Sequence, residues 1–324
     1  MMTINDFKYK QPIFYFSSKT KAKLKFKLDN IIITKEEDGS IIQQQSCHNT
    51  LCLCVIGNIS FTNVILQKAQ KYGFPVIFLS RSLKQQGYFH NRAEGNFLLR
   101  QKQYLNKDKD LPIAQQIITQ KIHNQTQLLK DLRYKAEADK IAIEKLTHFQ
   151  PINCQNEKEL LGIEGNASKV FFSAYFRTLN WQGRQPRCKK DINNLLLDIG
   201  YTYLFNFVET ITAIYGFDIY CGVYHKFFYQ RKSLICDLVE PFRCIIDRRL
   251  RKMHSLKQIH KDDFFFHQGQ FKLEYKKQSH YTKIFMNEIL DYKEDIFLFI
   301  QSYYRWYMKG KTIEQFPLFD IGEA

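Results

Sequence analysis

The chain has 324 residues, enough for two average domains and for a core that needs no disulfide or metal staple. Charged residues make up 25%, and the 14 Gly and 7 Pro are too few for a collagen-like or Pro/Gly-rich disordered chain. The 48 Lys and Arg outnumber the 32 Asp and Glu, and the net +16 points to a polyanion as partner.

The first stretch, to about residue 85, reads as β. Residues 21–28 alternate basic and mostly apolar side chains, the period-2 pattern of a half-buried strand. Ile31-Ile32-Ile33 and residues 51–56 are further β-rich runs, and Asp38-Gly39 ahead of Ile41-Ile42 signals a hairpin. Cys52 and Cys54 alternate with Leu51, Leu53 and Val55, as one face of a strand would. Residues 62–72 carry helical spacing at Val64, Ile65, Lys68 and Ala69, with Gly73 as the stop. Phe74-Pro75-Val76-Ile77-Phe78-Leu79 reads as a short strand with an edge proline. Residues 80–95 are polar and lose the pattern, and 86–95 is the expected linker. Beyond it the spacing is helical. Ile113, Ile117, Ile118, Ile122, Leu128, Leu129 and Leu132 mark one long helix, and residues 195–214 another ending near Gly216. The expected fold is α+β: a small β-sandwich-like domain (1–85), then a larger all-α domain (96–324) that would be the catalytic one.

No apolar run approaches the ~18 residues of a membrane span, and the N-terminus lacks a signal-peptide pattern. The eight cysteines include no Cys-x-x-Cys pair, so reduced thiols in a cytoplasmic protein are expected. A metal site on Cys47, His48, Cys52 and Cys54 is the alternative.

Three segments carry chemistry. In Leu160-Leu161-Gly162-Ile163-Glu164-Gly165-Asn166-Ala167-Ser168 a carboxylate sits among small residues near an expected helix start. Either the helix dipole favours that acid, or its small neighbours let a ligand approach. Gly222-Val223-Tyr224-His225 places a histidine after an apolar stretch, where a core histidine is the simpler reading. In Asp237-Leu238-Val239-Glu240-Pro241-Phe242-Arg243 two acids share one face if helical, and an Arg243–Glu240 salt bridge explains part of that pattern. Together the segments offer two hard oxygen ligands, an imidazole and a supporting acid, a set suited to Mg²⁺ or Mn²⁺ rather than zinc.

These patterns resemble the CRISPR-associated integrase family, the catalytic subunit of spacer acquisition. Gly162-Ile163-Glu164-Gly165-Asn166-Ala167, the helix Asn194-Leu195-Leu196-Leu197-Asp198-Ile199-Gly200-Tyr201, the glycine-flanked approach to His225 and the segment 237–243 match in the family's order. Lys121-Ile122-His123-Asn124-Gln125, the region 95–103, and residues 264–273 as a hairpin-like stretch also fit. Cys244 stands where the family often has a second proline, and the first ~45 residues match only in β character.

The resemblance implies that Glu164, His225 and Glu240 are catalytic metal ligands for Mg²⁺ or Mn²⁺. Asp237 would be an auxiliary acid, and Arg243 would brace the turn or touch a phosphate. It implies an integrase and endonuclease that joins prespacer DNA to a CRISPR leader-repeat by 3′-OH transesterification, with no covalent protein nucleophile. The implied partners are double-stranded DNA, a second copy in a homodimer and a small second adaptation protein. Two basic segments follow the proposed acids: 165–190 at +6, and 243–261 at +6 after Asp247 is counted. They are expected to track phosphates through Arg177, Arg184, Arg187, Lys189, Lys190, Arg243, Arg248, Arg249, Arg251 and Lys252. The alternatives are a non-catalytic structural DNA-binding protein whose acids balance nearby arginines, and a zinc enzyme built on Cys and His.

Overall fold

The computed structural model describes residues 2–17, 22–89, 96–179, 183–226 and 228–322. The chain divides into two compact units, Met1–Glu94 with Ala213–Tyr215, and Gly95–Thr212 with Gly216–Ala324.

The first unit opens with helix α1 (Ile4–Lys8), capped reciprocally by Thr3 and Asp6. Strands β1 (Gln11–Phe16), β2 (Ala22–Lys27), β3 (Asn30–Lys35), β4 (Ile41–Ser46) and β5 (Thr50–Ile56) follow. Helix α2 (Val64–Tyr72) then precedes β6 (Val76–Leu79) and β7 (Gln85–Phe89). One sheet has the order β1-β5-β6-β7, and the other is the meander β2-β3-β4. β5 pairs parallel with both β1 and β6, so the meander and α2 serve as the two crossovers. Ile13 and Tyr15 of β1, Leu24 of β2, Ile31 and Ile33 of β3, and Leu53 and Val55 of β5 share one core with Ile65 and Ala69 of α2. Two sheets facing a common core make the expected sandwich-like unit.

The alternation holds through β2, where Lys23, Lys25 and Lys27 are exposed and Ala22 and Leu24 buried, but it ends with the strand, since Leu28 is exposed; residue 21 lies outside the described residues. β5 differs from its expectation, because every residue in it is buried and not one face alone. A central strand with parallel neighbours on each side reads as a continuous apolar run. β6 is also interior, and Pro75 stands just before it with its carbonyl accepting from the Leu53 N–H at 2.9 Å. The polar stretch from residue 80 contains β7, which pairs antiparallel with β6. Its Gln85-Gln86-Gly87 start carries no hydrophobic period because an edge strand is held through its backbone. Residues 90–95 of the expected linker lie outside the described residues.

The second unit is helical. α3 (Phe97–Leu105) leads to α4 (Asp110–Lys130), which packs against α5 (Glu137–His148), α6 (Glu157–Tyr175) and α9 (Arg243–Ser255). Between α6 and α9 come α7 (Ile192–Ile214) and the short α8 (Ser233–Leu238). α4 and α7 are the two long helices that the Ile/Leu spacing predicts, and both bury that stripe. The helical unit also holds a hairpin of β8 (Phe264–His267) and β9 (Gln270–Leu273), at the stretch expected to be hairpin-like. α10 (Tyr275–Asp291) and α11 (Lys293–Lys309) complete it. No helix among the described residues is long and apolar enough to cross a membrane.

Candidate active site

α6 begins well before Glu164. Asn156 caps it, accepting from the Glu159 N–H at 3.1 Å, so Glu164 lies about two turns inside the helix and not at its start. The N-terminal dipole therefore does not explain this acid. A Cβ added at Gly162 or Gly165 would meet nothing within 4 Å, so no protein backbone crowds this face. Gly165 instead lines an open cavity of ≈ 1290 Å³, together with Glu164, His225 and Glu240. Three segments distant in sequence thus present these side chains to one space.

Glu240 is almost wholly buried at the start of a proline-containing turn after α8. Arg243 donates to its Oε2 at 2.8 Å and stacks over the Tyr201 ring, 4.7 Å from the centroid. Lys121 of α4 also reaches Oε2 at 2.8 Å, and the same ammonium lies 2.5 Å from Glu164 Oε1. Burial alone would raise the Glu240 carboxyl, but Arg243 and Lys121 outweigh it and hold it down at about 2. Burial likewise opposes the Lys121 charge, and Glu240 and Glu164 overcome that and raise its pKa. The other Glu164 oxygen accepts from Tyr224 Oη at 2.5 Å. Burial and then Glu164 push the Tyr224 phenol far up, so it stays a donor.

His225 sits on the loop between α7 and α8, and Asp237 builds that loop. Asp237 Oδ2 accepts from the Val223 N–H at 2.7 Å and the Tyr224 N–H at 3.2 Å. Its Oδ1 takes the His225 N–H at 2.9 Å and lies 2.7 Å from His225 Nδ1. Gly222 permits this wrap: a Cβ there would be 2.7 Å from Asp237 Oδ2 and 2.8 Å from the Ser233 carbonyl carbon. Asp237 is fully buried, and both of its oxygens are taken by the loop. It therefore positions His225 and does not face the cavity. With Nδ1–H given to Asp237, the neutral ring carries its lone pair on Nε2.

Two carboxylates and an imidazole nitrogen facing one cavity form a donor set that a hard divalent cation accepts. Among the described residues no three His, Cys, Asp or Glu side chains are already gathered as a metal cluster. The Lys121 ammonium occupies the place between the two carboxylates.

The basic residues divide sharply. Arg177, Arg184, Arg187, Lys189 and Arg243 line the cavity, and Lys190 and Lys252 are exposed outside it. Arg184 is pinned by Asp198 at 2.6 Å and Asn194 at 3.0 Å, and Arg177 by Asp139 at 3.1 Å. Beyond Arg243, the α9 arginines do not line the cavity. Arg249 is buried, held by Gln258 at 2.6 Å and Glu288 at 3.5 Å. Arg248 pairs with Glu288 at 3.2 Å and with the Tyr292 hydroxyl, and Arg251 donates to the Tyr175 carbonyl. Arg248, Arg249 and Arg251 thus hold α9 through internal bonds and, unlike the similarly paired Arg177 and Arg184, do not line the cavity.

Two further residues of the motif at 121–125, Lys121 and Asn124, support the site. Asn124 is fully buried and donates to the carbonyls of Pro241 and Phe319, both at 3.1 Å, which fixes the turn bearing Glu240. The sequence carries a signal for the lysine. Lys121 falls four residues after Ile117 and beside Ile122 on the buried stripe of α4, where a charge needs a buried partner.

Residues 15–287 match the family model described as CRISPR associated protein Cas1. A CRISPR-associated endonuclease Cas1 of Thermodesulfovibrio yellowstonii is 33% identical over 227 residues, 65% of this chain and 70% of that one. Among solved structures, a CAS1 protein from Thermotoga maritima superposes with a TM-score of 0.79 at 20% identity, over 93% of this chain and 98% of that one. A chain of a Cas6-RT-Cas1--Cas2 complex gives 0.79 at 21% identity, covering 97% of this chain but 36% of that longer one. A casposase bound to integration product gives 0.75 at 16% identity, over 93% and 91%. These structural likenesses establish a shared fold.

Proposed function

The chain belongs to the CRISPR associated protein Cas1 family, and from that premise we propose that it is a divalent-metal-dependent DNA integrase and endonuclease. It would join prespacer DNA to a CRISPR repeat by 3′-OH transesterification. The observation that carries this reading is the convergence of Glu164, His225 and Glu240 on one cavity whose wall holds Arg177, Arg184, Arg187 and Lys189. The T. yellowstonii relative is named an endonuclease, and the casposase neighbour is titled as bound to an integration product, which accords with the reading.

Glu164, His225 and Glu240 would hold Mg²⁺ or Mn²⁺, which when bound lowers the pKa of an attacking hydroxyl and neutralises charge on phosphoryl oxygens. The remaining work falls to the chain itself. Asp237 fixes the His225 ring so that Nε2 faces outward as an acceptor. Tyr224 orients Glu164 from the other side. Arg243 and Lys121 favour the ionised form of Glu240, holding its carboxyl well below the usual carboxylate range. The basic wall positions phosphates and supplies the salt-sensitive part of binding. With water in place of the 3′-OH the same site cleaves DNA. The proposed partners are double-stranded DNA, a second copy and a small Cas2-type protein; the fold likeness to a chain of a Cas1--Cas2 complex accords with the last.

A non-catalytic DNA-binding role has one observation in its favour: Lys121 and Arg243 already balance both acids. A Glu164→Ala variant separates the two readings. It should bind DNA but fail to join a 3′-OH end to a repeat-bearing plasmid in Mn²⁺. Full strand transfer by that variant would sink the catalytic reading.

A further inference from the structure

We propose that Lys121 is a built-in, displaceable cation of the catalytic site: it clamps Glu164 and Glu240 together when no divalent ion is bound, and it yields by turning into the cavity when one arrives. The inference rests on reading Glu164, His225 and Glu240 as the metal ligands.

The geometry makes the ammonium and a metal ion competitors. One nitrogen contacts Glu164 Oε1 at 2.5 Å and Glu240 Oε2 at 2.8 Å. A divalent ion held by these two acids would compete with the ammonium for the same pair of negative charges. Without any cation there, two carboxylates would face each other in a largely buried place and repel. The side chains are 10%, 16% and 3% exposed for Lys121, Glu164 and Glu240, so water screens this repulsion poorly.

Of the two cations on Glu240, Lys121 is the one able to leave. Arg243 is a planar fork wedged over Tyr201. A lysine is a point charge on a flexible four-carbon stem. It also has somewhere to go. Gln125 stands one turn further along α4, lines the same cavity, and has a buried Oε1 with no hydrogen-bond partner among the described residues. An ammonium turned that way gains this acceptor and faces the space a phosphate would fill. The residue that holds the resting site thus becomes a phosphate contact once the acids are occupied.

The test uses Mn²⁺ alone and needs no DNA. Lys121→Met should bind Mn²⁺ on the order of tenfold tighter or more, since the ion no longer breaks two ion pairs. In chelator the variant should melt below the wild type, and Mn²⁺ should raise its Tm by more. Because that variant risks poor folding, amine acetylation of the wild-type chain, read at Lys121 by mass spectrometry, gives a second readout. Labelling should be slow in chelator and severalfold faster with saturating Mn²⁺. Equal or weaker Mn²⁺ binding by the variant, or labelling unchanged by Mn²⁺, overturns the inference. If Glu164→Gln and Glu240→Gln weaken Mn²⁺ binding while Lys121→Met does not tighten it, only the role of Lys121 falls. If neither Gln variant affects Mn²⁺ binding, the ligand reading falls with it.

Discussion

Asp237→Asn replaces one oxygen by an NH₂ of the same size and removes the charge, so it tests the construction of the His225 loop with little change in shape. The wild-type carboxylate faces the backbone N–H groups of Val223, Tyr224 and His225 and the imidazole Nδ1. In its better orientation the Asn oxygen keeps Val223 and Tyr224. Its NH₂ then confronts the His225 N–H, two donors face to face, in a fully buried place. One orphaned amide costs about 1–3 kcal/mol, and the surviving bonds lose their charge assistance, so a total of about 2–4 kcal/mol is expected. The imidazole can answer only by accepting at Nδ1, which moves its proton to Nε2, the nitrogen proposed to face the metal. Urea unfolding reads the stability loss. ¹⁵N shifts of the ring read the tautomer, and Mn²⁺ affinity should fall about 10–100-fold. A loss under about 1 kcal/mol with the proton still on Nδ1 would refute the claim that Asp237 builds this loop.

Gly222→Ala attacks the same loop from its other side: the new methyl would sit 2.8 Å from the Ser233 carbonyl carbon, and backbone does not yield as a side-chain tip does. Strand transfer should collapse while circular dichroism stays helical; wild-type activity would show that the loop can shift. Asp247 is buried with Oδ2 unbonded, and desolvation, only partly offset by Tyr201, Arg243 and Arg184, lifts its carboxyl from 3.8 to about 7. The native state therefore binds more protons than the unfolded chain between those values, so stability should fall as pH rises from about 4 to 7. Asp247→Asn should reduce that slope in urea titrations, leaving the part owed to Asp110, which burial lifts to about 6 against the pull of Lys107. Arg249→Met should cost stability, about 1–3 kcal/mol in denaturant, without changing the salt dependence of DNA binding. Arg187→Ala should do the reverse, lowering the log–log salt slope by about one unit.

The parts of the fold that could be read from sequence are those where one face is buried and the other is not. The lysines of β2 and the isoleucines of α4 announce their elements because burial alternates with a fixed period. β7 has no such period, since its register comes from backbone bonds to β6. The glycines around Glu164 suggest a helix start there, whereas the cap is made further back by Asn156 and Glu159.

The site shows the same division. Motif order brought Glu164, His225 and Glu240 together, but the partners of a charge do not follow from its neighbours in the chain. The basic run in α9 looked like a phosphate track, yet Arg248 and Arg249 are answered by Glu288, about forty residues on, across a helix pair that no local pattern predicts. Asp237 looked like a ligand because it lies beside Glu240, and only the fold shows its oxygens turned to the backbone of 223–225. Lys121 is the converse case. A lysine inside the isoleucine stripe of α4 violates the pattern that makes the helix legible, and burying it requires opposite charge nearby. The sequence therefore states that a buried acid must meet Lys121 without saying which. The fold supplies two, Glu164 and Glu240, the acids of the two segments proposed to hold the metal.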